Sequence, residues 1–356
     1  MTGGSVLLFR AARMVAPALV SLVAALIVAG VFIRLAGADP FTALASLFYG
    51  STGLEPSGFN IFLLAQSLAR ATPLLLVGIA VSLGLRAGMF NIGAQGQMTL
   101  GALAAAIVGA AASRYPVSPL LLVPLLLGCA ALAGAVWAAI PGWLRTWRGV
   151  HEVITTILFN YIAINLADYL VTYHLRDPAS IGVQTREIAR AVWLSPLVPG
   201  SGLTAGFYLA LACTALFSIA MKRTVLGYEI RAVGLAPEAA RVAGIAVSRI
   251  QVKAMAVSGA LAGLAGALEV LSIHHRFLSG VSGSYGFDGI AVALLGGMNG
   301  LGVAVSALFF GCLLSGANYM QMQTSVPAAV GVIVQAVIIA GAGLRFMRFS
   351  RKEATS

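Results

Sequence analysis

Charge is what this sequence most conspicuously lacks. Only 9% of its 356 residues are charged, against about a quarter in a soluble globular domain. Acids are scarcer still: 11 against 22 basic residues, for a net charge of +11. The basic residues lie between apolar runs rather than interleaved with aromatics on one face. That arrangement excludes a nucleic-acid-binding surface and fits charges that set membrane topology. Cys129, Cys213 and Cys312 each stand alone inside an apolar run. With no CxxC and no Cys/His cluster, neither a disulfide framework nor a metal site is indicated. His274 and His275 are adjacent, a spacing that does not converge on a metal from a helix. Lysine follows Met221, Val252 and Arg351 and never glycine, so the chain lacks the Gly-Lys of a phosphate-cradling loop. GxSxG, HExxH and paired carboxylates are missing too. The chain has no catalytic residues to nominate and no cofactor of its own.

What it has in abundance is apolar sequence. It is 60% hydrophobic with a mean hydropathy of +0.96. This places it among all-α polytopic membrane proteins, read as one transmembrane domain over residues 1–356. A first span runs from Met14 to Ile33; Ala36-Gly37-Ala38 after it looks like a signal-peptidase site, but the run is long enough to span and is read as uncleaved. A loop is expected from Leu35 to Asn60. Further spans are expected at about 61–83, up to 112, 119–140 (ending at Pro141-Gly142), 153–173, 204–221, 254–273, 303–320 and 326–344. Phe287–Met298 is too short for a full crossing and is broken by glycines, so it reads as a half-helix. The total is about ten membrane segments. With both termini in the cytoplasm, fifteen basic residues fall inside and six outside, the asymmetry expected of that orientation.

Residues 222–253 form the longest polar stretch, carrying Lys222, Arg223, Arg231, Arg241, Arg249 and Lys253. Within it, Pro237–Ala243 predicts a short helix, with Pro at its first turn and Gly244 where it ends. A helix on a basic loop between spans suggests a docking element for a cytosolic partner; a plain solvated loop is the alternative. Inside the membrane, Asn91, Gln95 and Gln97 cluster with glycines in Gly88–Gln97, and Asn160 lies in the span after it. Irregular backbone at membrane depth must face protein or a water-filled path. These amides suit either a route for a neutral hydrogen-bonding solute or glue between helices. Asp168, Glu269 and Asp288 are acids in or near spans, each a candidate because an unpaired buried carboxylate is costly. Asp168 and Glu269 lie near outer span ends, where solvation competes. Asp288, between Gly286 and Gly289 at the half-helix start, is the strongest candidate, with helix capping as the competing role.

Three stretches together carry a family resemblance: Gly88–Gly101 (GMFNIGAQGQMTLG), Val150–Asn165 (VHEVITTILFNYIAIN) and Phe287–Gly302 (FDGIAVALLGGMNGLG). They resemble permeases of the ribose/branched-chain amino acid class of ABC importers. Within it they look most like the nucleoside or simple-sugar branch that works with a basic-membrane-protein-type lipoprotein. Glu238-Ala239-Ala240, three residues, then Gly244 resembles the loop by which ABC permeases couple to their ATPase. The chain departs from the common pattern at Ala94-Gln95, where glutamate is usual, and at His151, where asparagine is usual. The resemblance implies a permease subunit with ATP bound and hydrolysed on a separate ABC ATPase. It also implies a second, identical or related permease and an extracytoplasmic solute-binding lipoprotein, in a bacterial inner membrane. Asn91, Gln95, Asn160 and Asp288 would line the solute path, and Glu238, Ala239, Ala240 and Gly244 would couple to the ATPase. A nucleoside is the expected solute, a pentose or other small sugar the second reading, and a proton-coupled carrier the reading from another class.

Overall fold

The computed structural model describes residues 23–112, 118–337 and 340. The elements in order are α1 (Val23–Leu35), α2 (Pro40–Thr52), a hairpin of β1 (Leu54–Glu55) and β2 (Gly58–Phe59), α3 (Ile61–Arg86), α4 (Ala94–Ala112), α5 (Pro119–Arg148) and α6 (Glu152–Leu170). After them come α7 (Gly206–Arg223), α8 (Val225–Leu235), α9 (Pro237–Val242), α10 (Val247–Glu269), α11 (Tyr285–Leu295) and α12 (Gly300–Thr324). A π-helical turn extends α6 over Val171–Leu175 and α10 over Val270–His274. A last helical segment is described over 329–337. The beginning of the expected first span and the end of the expected last one lie outside the described residues.

The protein is thus an all-α polytopic membrane protein. Among the described residues, α3, α4, α5, α6, α10 and α12 are each long and apolar enough to cross a membrane, and α7 with α8 qualifies only as a pair bent by 75°. The chain divides into two compact units, residues 1–70 with 309–356, and residues 71–308.

In the first unit, Ala25, Ala29 and Ile33 of α1 share a core with Leu313 and Met320 of α12 and with Val326, Val330 and Val334. The expected loop over 35–60 is not one. Asp39 accepts from Thr42 N at 2.8 Å and Pro40 takes the first helical position, so α2 forms there. Gly50 of α2 meets Tyr319 of α12 side by side. Glu55, on the hairpin, accepts from the Tyr319 hydroxyl at 2.6 Å and from Asn60 at 3.1 Å, and these bonds hold its carboxyl below the usual range.

The second unit is organised around α3, α4 and α10. Most of the surface of each is buried, whereas α5 and α6 keep broad apolar faces such as Leu120, Leu121, Leu132, Ile154 and Tyr161 exposed. Exposed leucine and isoleucine on a spanning helix is a lipid-facing surface. The helices meet through glycine: Gly101 of α4 and Gly134 of α5 lie against the backbone of α10 at Gly263 and Gly259. Such small-residue seams let backbones approach closely where lipid supplies no hydrophobic drive for helix association. The same seam explains why α5 does not stop at Pro141-Gly142: both residues are buried, and Gly142 faces Met255 and Val252 of α10, so the helix continues to Arg148. At one end, residues 185–194 run along 271–277, with Thr185 N donating to Phe277 O (3.0 Å), Ile188 N to His275 O (2.9 Å) and Leu194 N to Leu271 O (3.0 Å). Trp193 stacks on His275 at 3.7 Å, and burial there pushes the imidazole below its ordinary pKa.

Candidate functional site

Between α3 and α4 the chain turns back on itself at Gly88 (φ 71°), and residues 89–91 return alongside Gly84. This is broken backbone with Met89, Asn91 and Gly93 buried, and two of the amides predicted from the sequence bond to it: Asn91, which accepts from Gly93 N at 3.0 Å, and Asn160. Asn91 and Gln97 form a reciprocal pair, each donating Nδ2 or Nε2 to the other's carbonyl oxygen at 2.9 Å. Asn91 also donates to Ser258 Oγ of α10 at 2.8 Å, and Ser258 donates on to Ala80 O of α3 at 2.6 Å. Asn160 of α6 accepts from Gly96 N and donates to Ile92 O, both at 2.8 Å. It thereby caps the open N-terminus of α4 from a neighbouring helix.

Gln95 does the same for α11. Its Nε2 donates to Ser282 Oγ (2.8 Å) and Gly283 O (2.7 Å), and its Oε1 accepts from Gly286 N (2.8 Å). Gly286 lies directly on the Gln95 backbone, so any side chain there would displace α4. Asn91, Gln95 and Asn160 are all buried and meet around the first turn of α4. Asp288 is not among them. It is half-buried on the first turn of α11 and accepts from Ser284 Oγ at 2.6 Å. Beside it Phe287 is 50% exposed. Of the two other acids near the spans, Glu269 is buried and pairs with His274 at 3.5 Å, whereas Asp168 is half-buried. Thr99 Oγ1 shares a hydrogen bond with Ser282 Oγ at 2.9 Å, and Ser258, Thr99 and Ser282 have no individual signal in the sequence. Ser258 reads there only as one member of the small-residue face Ser258, Gly259, Ala262, Gly263, Gly266 and Ala267 in the expected span 254–273.

Burying an amide whose partners are backbone groups makes it costly to lose. Gln95→Leu and Asn160→Leu are each expected to destabilise the detergent-solubilised chain by about 1–3 kcal/mol for each buried partner left without a bond, read as a lower melting temperature. The two effects should be similar, since each variant strands two backbone groups: Gly283 O and Gly286 N for Gln95, Gly96 N and Ile92 O for Asn160, while Ser282 Oγ keeps Thr99 Oγ1 as a partner at 2.9 Å. Unchanged melting in both variants would show that these amides do not hold the break.

The polar stretch 222–253 is almost wholly helical, which corrects its reading as a connecting loop. Thr224 caps α8 by accepting from Gly227 N at 3.1 Å, and Gly227, Ile230 and Val233 bury one face of it. Gly234 at its end seats against the Arg86 carbonyl of α3. The short α9 falls where the sequence predicts it. Ala240 is buried, while Glu238, Ala239 and Gly244 are exposed. Gly244 has φ 84° and nothing within 4 Å of where a Cβ would stand. Arg241 pairs with Glu238 at 2.6 Å. Leu235, the last residue of α8, and Val242, the last of α9, are 87% and 91% exposed and carry no individual signal in the sequence.

Residues 63–342 match the family described as the permease component of branched-chain amino acid transport systems. The chain is 38% identical to a guanosine ABC transporter permease protein of Bacillus subtilis, over 79% of this chain and 80% of that protein. It is 36% identical to a glucose ABC transporter permease protein of Haloferax volcanii, over 90% and 84%. It is 34% identical to a nucleoside ABC transporter permease protein of Lactococcus lactis, over 87% and 85%. No solved structure matches it significantly.

Proposed function

The chain belongs to the family of permease components of branched-chain amino acid transport systems, and from that premise we propose that it is the membrane-spanning subunit of an ABC importer for nucleosides. The observation that carries the substrate is the pair of relatives named for guanosine and nucleoside transport, which cover about four fifths or more of the chain. The local chemistry agrees with it. A half-helix whose N-terminus lies inside the protein is a recurrent way to face a solute in transporters, and α11 has that form. Its open face pairs an aromatic ring, Phe287, with a carboxylate, Asp288, which suits a planar base and ribose hydroxyls. In this reading the solute passes the N-termini of α4 and α11, and Asn91, Gln95 and Asn160 exchange bonds they now make to backbone for bonds to solute as α11 shifts.

The assembly follows from the same reading. Ten membrane segments are reached by adding α1, α7, α11 and the segment at 329–337 to the six long helices. The excess of basic residues puts α8, α9 and both termini in the cytoplasm of a bacterial inner membrane. There α9, through Glu238, Ala239, Ala240 and Gly244, meets a separate ABC ATPase, which binds and hydrolyses ATP. A second permease, identical or related, completes the path, and an extracytoplasmic lipoprotein delivers the solute. The glucose permease relative favours a second reading, a simple-sugar importer. Uptake of labelled guanosine and glucose, in cells expressing the chain with its partner subunits, separates the two. Guanosine should accumulate, unaffected by excess glucose, and uptake should cease when the ATPase is inactivated. Glucose uptake without guanosine uptake establishes the sugar reading. Guanosine uptake that survives loss of the ATPase but collapses with a protonophore makes the chain a proton-coupled carrier.

A further inference from the structure

Two neighbouring cavities in the second unit have opposite chemistry. One, of about 200 Å³, is lined by Arg86 of α3, Lys222 of α7, Arg231 of α8, and Asn299 and Gly300 at the start of α12. Three cations from three helices therefore converge on the N-terminal end of a fourth helix, which itself favours an anion. Among the described residues none of the three has a carboxylate within ion-pair distance: the ion pairs are Arg145–Glu152, His151–Glu152, Arg241–Glu238, His274–Glu269 and Arg276–Glu187. Arg86 donates Nε to the Met298 carbonyl at 2.6 Å, a bond that fixes the group and leaves its charge uncompensated. Glu229 is the nearest acid along α8, two residues from Arg231 and so on a different side of the helix.

The second cavity, of about 190 Å³, is a groove lined almost entirely by carbon, among it Leu216, Ala220, Leu226, Val257 and Leu261, with the cation Lys253 as its main polar feature. Phe217 and Met221 line both cavities, so the apolar groove adjoins the cationic pocket. Its outer wall is α7, whose Leu216 and Ile219 are exposed on the apolar, lipid-facing side. An anionic head beside an apolar tail is the chemistry this pair of cavities complements.

We propose that the junction of α3, α7, α8, α10 and the start of α12 is a binding site for an anionic phospholipid, its phosphate held by Arg86, Lys222 and Arg231 and an acyl chain lying in the groove along α7. Basic pockets between spanning helices hold anionic headgroups in this way. The bound headgroup offsets the mutual repulsion of Arg86 and Arg231 and so holds α8 against the end of α3.

The test compares melting temperatures of the full-length chain in a neutral detergent with added phosphatidylglycerol, phosphatidylcholine of the same acyl chains, or glycerol phosphate. Phosphatidylglycerol should raise the melting temperature by several degrees over phosphatidylcholine, and glycerol phosphate should not. The double variant Lys222→Gln/Arg231→Gln should lose that selectivity. Ala220→Phe keeps every charge but fills the groove and should lose most of the shift too, so the result does not hang on one variant. Equal shifts with the two lipids overturn the proposal. A full shift with glycerol phosphate alone reduces the site to one for soluble anions and overturns the lipid assignment. Should the double variant keep its lipid response but lose ATPase copurification, the cations belong to a protein interface instead.

Discussion

Replacing Gly263 by leucine should abolish accumulation of the folded protein. A Cβ at this position would sit on the Ala130 carbonyl and lie 3.3 Å from Gly134 Cα, both on α5, while Gly101 of α4 already rests on the backbone of Gly263 from the other side. α10 is therefore held between two helices with no side chain separating them at this level. Overpacking a core usually costs about 1–3 kcal/mol because side chains shift to new rotamers. Here the obstructing atoms are backbone, so whole helices must move apart, and the close contacts along the seam are lost with them. A loss at or above the top of that range is a large part of the roughly 5–15 kcal/mol by which proteins are stable. Size-exclusion profiles of detergent extracts should show the monodisperse peak disappear for Gly263→Leu. Gly128→Leu is the control: it lies on α5 with nothing within 4 Å of its Cβ position, and it should behave as wild type. A normal profile for Gly263→Leu would mean that the seam is not what holds α4, α5 and α10 together.

That seam was legible in the sequence, because Ser258, Gly259, Ala262, Gly263 and Gly266 recur at helical spacing in an apolar run. The six long spans were legible for the same reason: hydropathy reports what lipid requires of a helix. It says nothing about helices too short or too polar to cross. α2 was missed although Asp39-Pro40 is a sound start signal, since PFTALASLFYGST is too short to register as a span. α8 was missed because a polar stretch between spans reads as connection, although Gly227, Ile230 and Val233 mark a buried face at three-residue spacing. At the break the amides themselves stood out, but their partners did not. Ser258 is 167 residues from Asn91, and Ser282 is 187 from Gln95; only the folded chain brings them together. Pro141-Gly142 has the composition of a helix stop, yet in α5 it is a close-packing site on α10 and the helix runs through it.

The largest functional effect is expected at α9, from Leu235→Asp combined with Val242→Asp. These two side chains are 87% and 91% exposed in the chain alone, beside a buried Ala240 that fixes which face of α9 points outward. Fully burying a leucine or valine contributes roughly 1.5–3 kcal/mol each. If both insert into the ATPase, their loss removes about 3–6 kcal/mol, or two to four orders of magnitude in association. Two unpaired carboxylates at the same surface oppose docking further. Because neither residue is part of the chain's own core, the variant should reach the membrane at normal levels and melt normally, yet fail to copurify with the ATPase or to support uptake. Gly244→Trp probes the same contact by shape. Its Cβ would point into open space in the free chain, so the indole meets an obstacle only on docking, although φ 84° strains any side chain there by about 1–2 kcal/mol. Arg241→Glu probes charge: the arginine is engaged with Glu238 in an exposed pair, and such pairs contribute at most about 1 kcal/mol, so reversal should weaken uptake only slightly. Normal copurification and uptake with Leu235→Asp/Val242→Asp, together with loss of both in Arg241→Glu, would make α9 a carrier of charge and end the docking-helix reading.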